Sequence, residues 1–166
     1  MAALPASSAF QDCVDFIQSI GLMVQWVETL TDCIVPGFAI ENGALQICEA
    51  QVLYPGDILH EAAHLAVIPA RDRPKLSNTS IGERPNFEAE EMMCLAWSYA
   101  ACLHLNLDPE FVFHGEGYKG GGQYLAENFK QGQYIGVPML QYVGMALETE
   151  TGDQAAYPAM IKWLRP

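Results

Sequence analysis

Basic side chains are scarce in this sequence of 166 residues, which holds 8 Lys and Arg against 20 Asp and Glu and has a formal net charge of −12. Contact with a phosphate backbone needs clustered Lys and Arg. Half of the basic residues lie in one polar segment, residues 71–84, and no basic amphipathic helix is present. Neither nucleic acid nor an anionic membrane surface is therefore an expected partner.

Long apolar runs, a signal peptide and paired cysteines are also missing. The mostly apolar, uncharged run over residues 92–107 spans sixteen residues, whereas a membrane helix needs about 20 apolar residues. The first ten residues have neither the basic nor the apolar region of a signal peptide. The five cysteines are an odd number without a C-x-x-C pair. These patterns predict a protein of the reducing cytoplasm with free thiols and no membrane partner.

What is present is an apolar chain with clear helical spacing. Hydrophobic residues make up 51% of the sequence, enough for one domain over residues 1–166 with its own core. The spacing of apolar residues predicts helices over 8–20 and 87–105. A further helix is expected to open at Asp57, acting as its N-cap, and to end before Pro69.

The sheet is predicted from fewer residues. β-branched and aromatic side chains favour a strand within 22–30, and Asn42-Gly43 between two apolar segments predicts a β-hairpin. Residues 70–86 lack periodicity and are expected to form a long loop. A helix over 123–130 and amphipathic segments up to residue 164 predict extra C-terminal helices. The expected fold is α+β, a small antiparallel sheet with a hairpin packed on two central helices.

The chemistry-bearing motif is H-E-A-A-H, formed by His60, Glu61 and His64. Side chains four apart stack on one helix face, so both imidazoles can reach one ion at about 2.0–2.1 Å, the usual distance for zinc. Glu61 lies further round the helix, where its carboxylate can take a proton from water. With 4 His and 13 Glu in the chain, a chance occurrence of the motif has a probability below about 1 %.

A catalytic zinc also needs a third protein ligand. Residues 65–103 contain no His, and the nearest acids are Glu88, Glu90 and Glu91 at the start of the long helix. At about 100° per residue, Glu91 shares a face with small residues, where a second helix can approach. Glu90 points away from that face, and Glu88 lies beside it. We expect Glu91 to be the third ligand, with Glu88 as the alternative.

The order of helix, strand, Asn-Gly hairpin, H-E-x-x-H helix and loop, then Glu91 followed by Cys94, Trp97 and Ser98, resembles the minimal gluzincin-like zinc peptidases of the ImmA/IrrE type. The similarity covers roughly residues 10–105, and the family favours Ala, Phe and Ala at the last three positions. The resemblance implies a zincin-like fold, bound zinc, a cytoplasmic setting and, in some members, proteolysis of a transcriptional repressor. It does not extend to the tail after residue 108, so the substrate is not carried over.

Two residues after the long helix are candidates for stabilising the oxyanion of a tetrahedral intermediate. These are His114 and Tyr118, in and beside a glycine-rich turn that suits a cleft wall. The alternative for His114 is a structural or surface histidine. The G-x-G-x-x-G match at 115–120 is interpreted as a turn and not as a dinucleotide site, because no βαβ unit surrounds it.

Extended substrates of zincins add as a strand to a sheet edge. Residues 44–51, which precede the motif helix, are the candidate edge strand.

The favoured function is a zinc-dependent peptidase acting on a peptide or protein, with Glu61 as general base. A second hypothesis is a non-catalytic zinc-binding regulatory module, which would close the site with a fourth ligand such as Glu88, His114 or a cysteine. A third is a core helix without metal. Mn, Fe and Ni also suit two histidines and a carboxylate.

Overall fold

The computed structural model describes residues 8–166, which form six α-helices and three strands in an α+β arrangement. In chain order they are α1 Ser8–Ser19, β1 Met23–Trp26, β2 Phe38–Glu41, β3 Ala44–Ile47, α2 Asp57–Ala66, α3 Asn78–Ile81, α4 Phe87–His104, α5 Gly122–Lys130 and α6 Val137–Tyr142. The predicted helices α1, α4 and α5 are confirmed. No helix of this part of the chain is long and apolar enough to cross a membrane.

The hairpin is confirmed, and the direction of the sheet is corrected. Strands β2 and β3 are antiparallel around Asn42 and Gly43, both with positive φ. The strand order is β1-β3-β2, and β1 runs parallel to β3. The sheet is therefore mixed, because residues 27–37 carry the chain past β3 before the hairpin begins. Since β3 is the central strand, the assignment of residues 44–51 to a substrate-binding edge is wrong.

Two helices form the centre of the core. α2 packs against α4, and its other side contacts β2 and β3. The alanines at positions 62, 63 and 66 are fully buried, and their small side chains let neighbouring backbone come close. α4 is buried on most of its surface, with Trp97 at its middle. The two central helices therefore have fixed positions relative to each other and to the sheet.

The start of α2 differs from the prediction. The N-cap position is Gly56, not Asp57, which is the first helical residue and caps nothing with its side chain. A Cβ atom at position 56 would lie 1.6 Å from the Phe111 carbonyl oxygen, so only glycine lets the two backbones meet. The Asp57 carboxylate is thereby free to bind a side chain from the same neighbouring segment. The end of α2 at Ala66, before Pro69, is as predicted.

The segment 70–86 is more ordered than a plain loop. It contains a 3-10 turn, Arg73–Lys75, and the short helix α3, whose capping box joins Ser77 and Ser80. The last predicted amphipathic segment, residues 157–164, forms no helix. Its backbone instead packs along α4, where the Trp97 indole donates to the Trp163 carbonyl at 2.9 Å.

Two arginines close the far end of α2, and we call them the C-terminal clamp. Arg73 Nε donates to the Leu65 carbonyl at 2.7 Å and Arg73 Nη2 to the Arg165 carbonyl at 2.8 Å. The Arg165 backbone N–H donates to the Ala66 carbonyl at 2.9 Å. Helix C-termini leave carbonyls without partners, and here cationic donors satisfy them.

Candidate metal centre

Three of the predicted metal ligands meet between α2 and α4. His64 Nε2 lies 3.2 Å from Glu91 Oε1, and His60 Nε2 lies 3.8 Å from Glu91 Oε2. The two imidazole rings are 4.9 Å apart and nearly perpendicular. Glu88, the alternative ligand, is exposed and lines a separate groove with residues 84–89. The structure thus places Glu91, and not Glu88, beside both histidines.

The two histidines are in the form that a metal needs. Burial lowers the pKa of His60 to about 4 and lowers the pKa of His64 well below its usual value, with the charge of His60 adding to the second effect. Both rings are therefore neutral at pH 7, and the neutral imidazole is the metal-binding form. Burial also raises the pKa of the Glu91 carboxyl. A bound cation would offset the cost of keeping that carboxylate ionised.

Glu61 is buried next to this group. One of its oxygens lies within 4.8 Å of ligand nitrogens of His60 and His64, and its Oε2 has no hydrogen-bond partner. Burial raises its pKa well above the usual value, and the charges of Asp57 and Glu91 add to that effect. A buried carboxylate oxygen without a partner is costly, which is typical of a group that acts on a ligand.

His114 faces the same cleft, and sequence reasoning missed the two residues that hold it. Its Nε2 lies 2.6 Å from Asp57 Oδ1, and its ring stacks on Tyr54 with centroids 4.1 Å apart. A Cβ atom at Gly117 would lie 3.1 Å from the ring, so the backbone there fits closely over it. Asp57 lies three residues before His60, about one helical turn, so the spacing places both near one face of α2. The interpretation of Asp57 as an N-cap gave its side chain a different role.

Tyr118 covers the candidate metal centre from the glycine-rich turn. Its ring meets the His60 ring edge-on at 5.4 Å. Tyr118 and Lys119 both have φ of 55°, a left-handed backbone conformation that is unfavourable for residues other than glycine. Burial raises the Tyr118 pKa well above its usual value, so the hydroxyl stays protonated and can donate. Backbone strain of this kind is concentrated at functional sites.

These residues share one cleft of about 510 Å³. Its floor carries the side chains described above, and Glu116 adds an acidic group at the turn. The apolar part of its lining, which we call the cleft wall, consists of Ile34, Val35, Pro36, Ile81 and Phe87. The size and the mixed lining suit a side chain and a short stretch of peptide backbone.

The sheet edge beside the cleft is covered by the chain itself. The Phe38 N–H donates to the Val35 carbonyl at 3.0 Å, and the Ile40 N–H donates to Asn78 Oδ1 at 2.7 Å. Asn78 also donates from Nδ2 to the Asp32 carbonyl at 3.0 Å. Strand addition to β2 would have to displace these bonds. Asn78 was not singled out in the sequence, because its partners lie 38 and 46 residues away.

The remaining histidine, His104, lies outside the candidate ligand set. Its ring contacts the rings of Phe16 and Trp163 at the end of α4. The G-x-G-x-x-G match at residues 115–120 overlaps the 3-10 turn Tyr118–Gly120. All three strands of the described sheet precede it, whereas a dinucleotide site needs this turn inside a βαβ unit.

Comparison of the chain with models of protein families, with curated proteins and with solved structures found no match. The geometry of the site itself therefore carries the functional argument.

Proposed function

We propose that this protein is a zinc-dependent peptidase with a zincin-like arrangement of α2 and α4, as the resemblance to the ImmA/IrrE type implies. The observation that supports it best is the convergence of His60 Nε2, His64 Nε2 and the Glu91 carboxylate across two rigid helices. Two neutral imidazoles and one carboxylate are a ligand set of catalytic zinc sites. Zinc bound there would act as a Lewis acid towards water and the scissile carbonyl.

Glu61 is the proposed general base. Its unpartnered oxygen lies beside the imidazoles, within reach of a water at the ligand cluster. A cation held by the histidines would lower its raised pKa and keep it ionised. Glu61 would take the proton of the attacking water and deliver it to the leaving amine.

Tyr118 and His114 are the proposed oxyanion donors. The Tyr118 hydroxyl is kept protonated by burial, and Asp57 holds the His114 ring at the cleft. Donors that are fixed before the reaction stabilise developing negative charge without reorganising. The proposed substrate is a peptide or protein whose apolar side chain fits the wall of Ile34, Val35 and Ile81. The proposed setting is the cytoplasm, supported by five free cysteines.

A second candidate function is a regulatory zinc module without catalysis. It is favoured by a second group of donor atoms, those of His64, Glu91 and Cys94, which also lie within 4.8 Å of one another. If the Cys94 sulfur bound the ion together with Glu91 and both histidines, four protein ligands would close the site to water.

Metal content and peptide hydrolysis test the proposal together. Protein purified without a metal-affinity step is analysed by mass spectrometry as wild type, His60→Ala and Glu61→Gln, with Glu88→Gln as the matched acid outside the cleft. We expect zinc in wild type, loss of zinc in His60→Ala, and retained zinc with about 10²–10⁴-fold slower hydrolysis in Glu61→Gln. No metal in wild type after zinc is supplied would refute the proposal. Equal loss of hydrolysis in Glu88→Gln would remove the assigned role of Glu61.

A further inference from the structure

The second nitrogen of His64 has an unusual partner. His64 directs Nε2 towards Glu91, at 3.2 Å, and its Nδ1 lies 3.6 Å from the sulfur of Cys94. Both residues are buried, and Cys94 is fully so. The contact joins α2 to α4 thirty residues apart, one turn along α4 from Glu91.

We propose that Cys94 is a positioning residue of the metal centre, whose thiol sulfur accepts the Nδ1–H of His64 and holds Nε2 towards the metal. The inference rests on the proposed function, because it presumes that His64 binds the ion through Nε2. An imidazole that binds metal through one nitrogen carries its proton on the other, and a partner for that proton fixes both the tautomer and the ring orientation.

The chemistry of the thiol sets the strength of this contact. A thiol sulfur is a weak hydrogen-bond acceptor. His64 is in this way held in place without a carboxylate behind it, whose negative charge would strengthen its donation to the metal. His60, by contrast, has no partner at Nδ1.

The same geometry argues against Cys94 as a ligand of the same ion. The sulfur lies at the Nδ1 edge of the imidazole, whereas Glu91 lies at the Nε2 edge. An ion bound to Nε2 beside Glu91 leaves Nδ1, the nitrogen next to the sulfur, to carry the proton.

Zinc affinity in matched variants tests the assignment. The variants are Cys94→Ala, Cys94→Ser and the control Cys102→Ala, a fully buried cysteine two turns further along α4. Zinc dissociation constants are measured by competition with a chromogenic chelator, and thermal unfolding of the metal-free proteins monitors the cost to packing. We expect about tenfold weaker zinc binding in Cys94→Ala, the lower end of the effect of removing such partners. Cys94→Ser, which keeps an acceptor, should regain most of the affinity, and Cys102→Ala should match wild type.

Two spectra give readouts that a loss of packing would not move. In ¹⁵N-labelled, zinc-loaded protein, the Nδ1–H resonance of His64 should shift in both Cys94 variants and stay in place in Cys102→Ala. In the cobalt-substituted protein, absorption should show no sulfur-to-cobalt charge-transfer band. Such a band, or equal loss of affinity in Cys94→Ala and Cys102→Ala, would overturn the assignment. Uptake of zinc unchanged by Cys94→Ala would overturn this inference alone, whereas no uptake by wild type would overturn the proposed function as well.

Discussion

The two ends of α2 are built in opposite ways. At the cleft end, buried polar atoms lack partners, namely His60 Nδ1 and Glu61 Oε2. At the other end, the C-terminal clamp supplies cationic and backbone donors to the last carbonyls of the helix. In α2, buried side-chain atoms lack hydrogen-bond partners where we propose chemistry. At its other end, the last backbone carbonyls have partners that attach the helix to the rest of the protein. His60 and Glu61 precede the Leu65 and Ala66 carbonyls, which the clamp binds, by about one and a half turns.

The largest effect is expected from breaking the clamp. Arg73→Met keeps the length of the side chain but removes its bonds to the carbonyls of Leu65, Ile68 and Arg165. We expect the free energy of unfolding to fall by about 3 kcal/mol, since hydrogen bonds of charged groups contribute about 1.5–3 kcal/mol each and do not add fully. Urea denaturation measures this. Arg71→Met, whose side chain is 86% exposed, is the control and should change little, and zinc affinity per folded molecule should not change.

The stability of the chelator-treated protein should depend on pH through the buried His60 at the cleft end of α2. Burial lowers the pKa of His60 from 6.5 to about 4, so the folded state resists protonation more than the unfolded state does. The contribution of His60 to stability is therefore complete above pH 6.5 and is lost as the pH falls towards 4. Urea denaturation from pH 7 to 4 should show a shallower decline in His60→Leu than in wild type. Parallel curves would show that His60 is not desolvated as described.

A smaller effect is expected from Asp57, the first residue of α2, whose carboxylate contacts His114 in the cleft. Asp57→Asn removes the charge that holds His114, and we expect about tenfold slower peptide hydrolysis with unchanged zinc content. Stability should not fall, because burial raises the Asp57 pKa and the amide removes a desolvated charge. If Asp57→Asn lost zinc along with activity, Asp57 would belong to the proposed metal centre. The cleft end of α2 would then have to be defined to include it.

The smallest effect is expected at Asn78, which lines the cleft. Unlike His60 Nδ1 and Glu61 Oε2, its side chain has hydrogen-bond partners. Asn78→Ala removes the acceptor of the Ile40 N–H and should lower stability by about 1 kcal/mol. Thr79→Ala on the same short helix is the control. A change in thermal unfolding no larger than that of the control would mean that water replaces Asn78 without cost.

Local patterns predicted most of the elements and the proximity of His60, His64 and Glu91. The hairpin follows from Asn42-Gly43, whose backbone conformation depends on neighbouring residues alone. Glu91 was separated from Glu88 by helical geometry, which is also local. The parallel pairing of β1 was missed because it depends on how residues 27–37 cross the sheet.

The supports of the site were missed for the same physical reason. Asp57 and His114 are 57 residues apart in the sequence, and no spacing rule connects them. The local preference of Asp for an N-cap gave a competing interpretation, which the close approach of Gly56 to Phe111 overrides.

The clamp has a kinetic consequence. The carbonyl of Val67 is bonded to a side chain 98 residues later, and Arg73 reaches a carbonyl 92 residues later. Contacts of such long sequence separation require a large loop to close, and they slow folding relative to local contacts. We therefore expect the histidine helix to reach its final form late, when the segment around Arg165 docks. Before that docking, both imidazoles would lie on a helix whose C-terminal end is free to fray.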